Sequence, residues 1–254
     1  MSQQELQDFI ARLADISGEI LRRHFLSRDL TPETKADGTV VTPADREAEA
    51  AMRRLIRERY PAHGIIGEEF GRENEETEFV WLLDPIDGTL SFISGCPLFG
   101  TLIGLLHRGE PILGAIHQPV LGQFCLGDNR TTTLNGKPVQ MREVSRLADT
   151  TVLATDLLAV ARYQPVAGFE RLVRSARLFR TWGDCYGYLL LATGWADVML
   201  DPIMHPWDLL PLIPIIQGAG GTITAWDGGP AASATSCVAA SKTLHPAVLE
   251  MLSS

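Results

Sequence analysis

Residues 81–95 read WLLDPIDGTLSFISG, and this stretch limits what the chain can fold into more than any other. Val80, Trp81, Leu82 and Leu83 form a short apolar run suited to a buried strand. Asp84 and Asp87 follow at its end, separated by Pro85 and Ile86. Gly88 and Thr89 come next, where the backbone can turn and present N–H groups. A strand ending in two carboxylates and a Gly-Thr turn can hold a cation and a phosphate attached to it. Carboxylate oxygens suit Mg²⁺, which takes a few such ligands and keeps waters and a substrate phosphate. Pro85 fixes its own φ and helps set the separation of the two acids. Read alone, Asp-Pro and Asp-Gly are also common turn dipeptides.

Two further pieces weigh against a plain turn. Gly67-Glu68-Glu69 stands upstream, directly after Gly64-Ile65-Ile66, so Glu68 ends an apolar stretch. Pro206-Trp207-Asp208-Leu209-Leu210 stands far downstream. Together DPIDGT, GEE and PWDLLP resemble the inositol monophosphatase superfamily of Mg²⁺-dependent, lithium-sensitive phosphatases, in order and spacing over nearly the whole chain. The resemblance implies an α+β/α/β fold, a layered αβαβα sandwich. It implies one Mg²⁺ held by Glu68, Asp84 and the carbonyl of Ile86, a second held by Asp84, Asp87 and Asp208, and a third, looser one near Glu68. It also implies a phosphate cradle of Asp87, Gly88 and Thr89, with Thr89 and Glu68 positioning the attacking water.

Four carboxylates meeting at one point would repel each other and raise some of their pKa values. Two or three Mg²⁺ ions are the simplest balance, and they let an acidic site accept an anion. No Ser or Cys nucleophile with a base partner is evident. Asp45, in Thr42-Pro43-Ala44-Asp45, has two readings: a first-turn carboxylate complementing a helix dipole, or an acid standing behind the metal ligands, as the superfamily's TxxD implies. Lys35 is either a solvated loop charge or a group closing over phosphate.

The 254 residues suit one large domain or two closely packed halves, here 1–145 and 146–254. A net charge of −9 gives no basic footprint for nucleic acid. Cys96, Cys125, Cys185 and Cys237 are scattered without CxxC spacing, so free thiols in a reducing compartment are expected. No signal peptide is apparent, and the longest apolar run is broken by Pro211 and Pro214, so a cytoplasmic protein with no membrane span is expected.

Helical spacing covers 6–25, and Thr42 with Pro43 opens a second helix reaching about Tyr60. Asp37-Gly38 signals a turn, and the acidic run 71–78 reads as a solvated loop. Strands are expected at 98–106, 112–117 and 123–126, and Asn135-Gly136 marks a hairpin, so this region reads as an antiparallel sheet. From 151 onward strands and helices alternate, with helices near 169–176, over 184–193, over 208–217 and from His245. Asp184 and Asp208 are each good helix N-caps in their own right.

DGTLSFISGCPLFGTLIG and RTWGDCYGYLLLATGWADV look most like the histidinol-phosphate phosphatase branch. Arg180 and Asp184 then fall where the superfamily contacts the organic part of its substrate. A carboxylate there suits an ammonium or imidazolium better than a polyol; Arg180 either contacts substrate or restrains Asp184. The alternatives are an inositol-1-phosphate or broad sugar-phosphate phosphatase, and a regulatory binding protein on the same fold. The partner expected is a small phosphate monoester, and the resemblance implies a homodimer.

Overall fold

The computed structural model describes residues 2–36 and 38–253. Asp37 of the expected turn lies outside them. The chain opens with α1 (Gln3–His24), the short pair β1 (Glu33–Thr34) and β2 (Val40–Val41), and α2 (Pro43–Arg59). Then come β3 (Gly64–Gly67), β4 (Gly71–Glu73), β5 (Phe79–Asp87), the short helix α3 (Thr89–Ile93) and β6 (Gly100–His107). The meander continues through β7 (Glu110–Gln118), β8 (Gln123–Gly127), β9 (Thr132–Leu134) and β10 (Lys137–Val139). β11 (Thr151–Ala154), α4 (Leu157–Tyr163), α5 (Val166–Ser175), β12 (Leu178–Arg180), α6 (Asp184–Ala192) and β13 (Val198–Asp201) follow. The chain closes with α7 (Pro206–Gly218), β14 (Gly221–Thr224), β15 (Cys237–Ser241) and α8 (His245–Ser253).

Two larger sheets carry the architecture. The first has the order β10-β9-β8-β7-β6-β5-β3-β4, antiparallel apart from the β3–β5 pair. The second has the order β12-β11-β13-β15-β14, parallel on one side and antiparallel on the other. Side-chain alternation along a strand gives each sheet two apolar faces to cover. On the first sheet Ile65, Trp81, Leu83, Ile103 and Leu113 face the buried stripe of α1 and α2. Its other face, with Leu102, Ile116 and Cys125, packs on α6 and α7, which also cover Leu153, Met199 and Ala239 of the second sheet. α5 and α8 close the far side over Val152, Val198 and Val238. The order of layers is therefore αβαβα.

α7 seats unusually close to the first sheet. A Cβ at Gly114 would stand 1.8 Å from the Pro211 carbonyl oxygen, and one at Gly127 would stand 2.4 Å from Ile215 Cα. Glycines on neighbouring strands thus form the trough that α7 occupies, with Pro211 and Pro214 inside the helix. The acidic run after Gly71 is not wholly loop: Gly71–Glu73 is the edge strand β4, because pairing with Ile65–Gly67 satisfies its backbone. α4 has no strong apolar period and was not expected; Asp156 caps it, its side chain accepting from the Leu158 amide. Among the described residues no helix is long and apolar enough to cross a membrane.

Candidate active site

Asp84 and Asp87 are three residues apart, and a regular strand would send them to opposite faces. The pairing of β5 with β6 prevents this. Asp84 lies opposite Leu102 and Asp87 opposite Gly100, so three steps on β5 match two on β6. This bulge inserts one residue and returns Asp87 to the face of Asp84. Both acids therefore project between the sheets, on the side of α6 and α7. Asp84 Oδ1 also accepts from the Ile86 amide at 2.9 Å, which fixes the turn around Pro85.

Asp87 is held by the start of α6. The Cys185 amide donates to Asp87 Oδ2 at 2.5 Å, and the positive end of the helix favours the anion. Asp208 is not the N-cap of α7, as expected from sequence. His205 occupies that position, and Asp208 at the third helical residue reaches back to accept from the His205 amide at 2.9 Å. Likewise Gly183, not Asp184, caps α6. Asp184 adopts a left-handed φ of 51°, uncommon outside Gly and Asn/Asp, with its amide donating to Thr155 Oγ1 at 2.9 Å. Gly88, also left-handed at φ 93°, lets the chain turn from β5 into α3, and a Cβ there would stand 3.0 Å from Asp184 Oδ2.

These elements surround a cavity of about 590 Å³. Glu68, Asp84, Ile86, Asp87, Gly88, Thr89, Asp184 and Asp208 all line it. A side chamber of about 160 Å³ continues past Asp87, Asp184 and Asp208 to Thr155, Asp156 and Asp201. Asp201 and Asp156 were missed in the sequence, since each reads there as a loop or strand-end acid without a motif. Arg180 is not among the lining residues. It is exposed, donates to the Phe179 carbonyl at 2.7 Å and lies 5.9 Å from the Trp182 ring. A larger groove of about 880 Å³ between α1 and α2 holds none of the candidate residues.

The electrostatics follow from burial and like charge. Burial, then Glu68, Asp87 and Asp208, push the Asp84 carboxyl well up. Asp87 is raised by burial, Asp208 and Asp201, against the Cys185 amide bond. Asp208 is pushed up to about 7 by burial, with Glu68 adding to it. Asp184 is raised by burial, Asp87 and Asp201. Lys35 answers some of this charge: its Nζ sits 3.0 Å from Glu68 and 2.6 Å from Glu69. Asp45 sits behind them, fully buried in a capping box with Thr42. Burial raises it to about 7, Glu69 and Glu68 contribute, and its Oδ1 has no hydrogen-bond partner.

The donor set fits a hard divalent cation. It is made of carboxylates and a carbonyl, burial and neighbouring acids raise Asp84, Asp87 and Asp208, and a buried carboxylate oxygen behind it lacks a partner. Among the described residues, no three acid, His or Cys side chains are already drawn together tightly enough to ligate an ion. The Ile86 carbonyl, one of the expected ligands, accepts from Thr89 Oγ1 at 3.0 Å and keeps a second lone pair.

Fold and cavity together define a metal-dependent phosphatase built as a layered sandwich. The chain belongs to the inositol monophosphatase family, whose model matches residues 2–254. It is 42% identical over 235 residues to the bifunctional phosphatase IMPL2, chloroplastic, of Arabidopsis thaliana, covering 90% of this chain and 67% of that protein. It is 40% identical over 213 residues to the histidinol-phosphatase of Chlorobaculum parvum, covering 82% of this chain and 81% of that one. An inositol monophosphatase structure from Zymomonas mobilis superposes with a TM-score of 0.87 at 32% identity, over 100% of both chains.

Proposed function

We propose that this enzyme is a Mg²⁺-dependent histidinol-phosphatase that releases phosphate from L-histidinol phosphate. One observation carries the choice of substrate. Among the described residues, no Lys or Arg lines either the main cavity or its side chamber, while Asp184, Asp156 and Asp201 do. An organic group with an ammonium or imidazole would meet Asp184 in a charge-assisted bond, whereas a polyol would offer it only neutral hydroxyls. The resemblance to a histidinol-phosphatase points the same way.

In this reading Glu68, Asp84, the Ile86 carbonyl, Asp87 and Asp208 hold two or three Mg²⁺. The bound ions supply Lewis acidity toward the phosphoryl oxygens and balance the acidic cluster. The amides of Gly88 and Thr89, beside Asp87, hold the phosphate. Glu68 and Thr89 orient the attacking water, and Asp45 fixes the segment behind them. Asp184 accepts a hydrogen bond from the substrate's cationic group. On the family resemblance the proposal extends to a homodimer.

Phosphate release from histidinol phosphate, inositol 1-phosphate and a sugar phosphate tests the reading. Histidinol phosphate is expected to give the highest kcat/KM, and a better inositol 1-phosphate rate would overturn the choice of branch. Asp184→Asn should lower kcat/KM for histidinol phosphate roughly 10- to 100-fold, the worth of a charge-assisted bond, and leave inositol 1-phosphate less affected.

A further inference from the structure

α2 buries a polar stripe that its apolar pattern conceals. Asp45, Glu49 and Arg53 follow one another at four-residue spacing, so they share one helix face, and all three are buried. Glu49 is fully buried yet satisfied. Its Oε2 accepts from the Glu69 amide at 2.8 Å, and its Oε1 accepts from the Phe70 amide at 3.2 Å and from Arg53 Nε at 2.7 Å. Arg53 in turn donates to the Gly71 carbonyl at 2.5 Å and lies 3.5 Å from Glu73. The segment held in this way is the turn from β3 to β4, which carries Glu68 into the cavity. Gly67 makes the approach possible, since a Cβ there would stand 2.2 Å from Glu49 Oε1.

We propose that Glu49 is a positioning residue for the metal site, clamping the 68–70 turn so that Glu68 meets the cation with its backbone already fixed. The proposal rests on the reading of Glu68 as a metal ligand. Glu49 touches neither substrate nor cation; it acts through the two amides that follow Glu68. Its charge is matched by Arg53, so the clamp adds no net charge to a site already rich in acids. A turn of three residues has few bonds of its own, and two amides fixed by one carboxylate remove most of its freedom. Partners of ligands placed in this way are worth roughly 10- to 100-fold in metal affinity.

The test is Mg²⁺ binding by calorimetry on the wild-type enzyme, Glu49→Gln and Glu68→Gln, with amide hydrogen exchange at Glu69 and Phe70. Glu49→Gln turns one acceptor into a donor that faces another donor. It should weaken Mg²⁺ binding roughly 10- to 100-fold, retain kcat at saturating Mg²⁺, and speed exchange at both amides. A merely structural role would lower the melting temperature and leave Mg²⁺ affinity in place, and that result would overturn the proposal. Unchanged affinity in Glu68→Gln would instead overturn the ligand reading on which it rests. If Glu49→Gln does not fold, the wild-type exchange decides: Glu69 and Phe70 should be protected like the neighbouring β3 amides, and fast exchange there would overturn the clamp.

Discussion

At the scale of single residues, the site is a contest between burial and like charge. Burial pushes Asp84, Asp87 and Asp208 toward the protonated form, neighbouring carboxylates add to the push, and the Cys185 and His205 amides oppose it for Asp87 and Asp208. Asp87 is the best point of attack because its carboxylate is expected to bind metal while it already engages α6. Asp87→Asn keeps an oxygen for the Cys185 amide, so the fold should survive. It removes the ligand charge, worth several kcal/mol, and phosphate release should fall roughly a thousandfold. A variant that is folded by circular dichroism and retains the wild-type rate would remove Asp87 from the chemistry.

Elements decide where those residues point. The bulge in β5 puts two acids on one face, and the glycine trough lets α7 lie close enough for Asp208 to share a cavity with them. Gly114→Ala would place a methyl against the Pro211 carbonyl, a backbone atom that cannot swing away. We expect a loss of about 1–3 kcal/mol or more in urea unfolding. Gly104→Ala should cost less, because its nearest neighbours, at 3.0 and 3.1 Å, are side-chain atoms of Pro211 and Leu82. Equal costs for the two variants would mean that α7 is free to shift. The same scale explains what could be read in advance. α1 and α2 carry regular apolar spacing and strong N-terminal caps, and Asn135-Gly136 forms the hairpin that its turn chemistry requires. β4 and α4 were not legible, since one depends on a neighbouring strand edge and the other is seven residues with one buried side chain.

For the whole molecule, the cavity is where three layers meet: β5 of the first sheet, the ends of α6 and α7, and the loop after β11 of the second sheet. A cation bound there links layers that are distant in sequence. Mg²⁺ that binds only the folded state stabilises it by mass action, about 2.7 kcal/mol at a hundred times Kd. For a chain of this size the melting temperature should rise by roughly 5–10 °C on adding Mg²⁺, and chelation should reverse the rise. Most of the increment should vanish in Asp208→Asn, and a full increment there would place the cation elsewhere.

The sequence by itself determined the family, and it named acids and a Gly-Thr turn that the structure gathers around one cavity, because such a set must be written as residue types at fixed local spacing. It also determined most elements, since apolar period and caps act over one or two turns. Only the tertiary structure decided that Asp84 and Asp87 share a face, that Asp208 hangs from His205 without capping α7, and that Arg180 lies outside the cavity. Only the structure revealed Asp201 in the side chamber and Glu49 under the Glu68 turn. These depend on strand register and on contacts between residues far apart in the chain, and no local pattern carries that information.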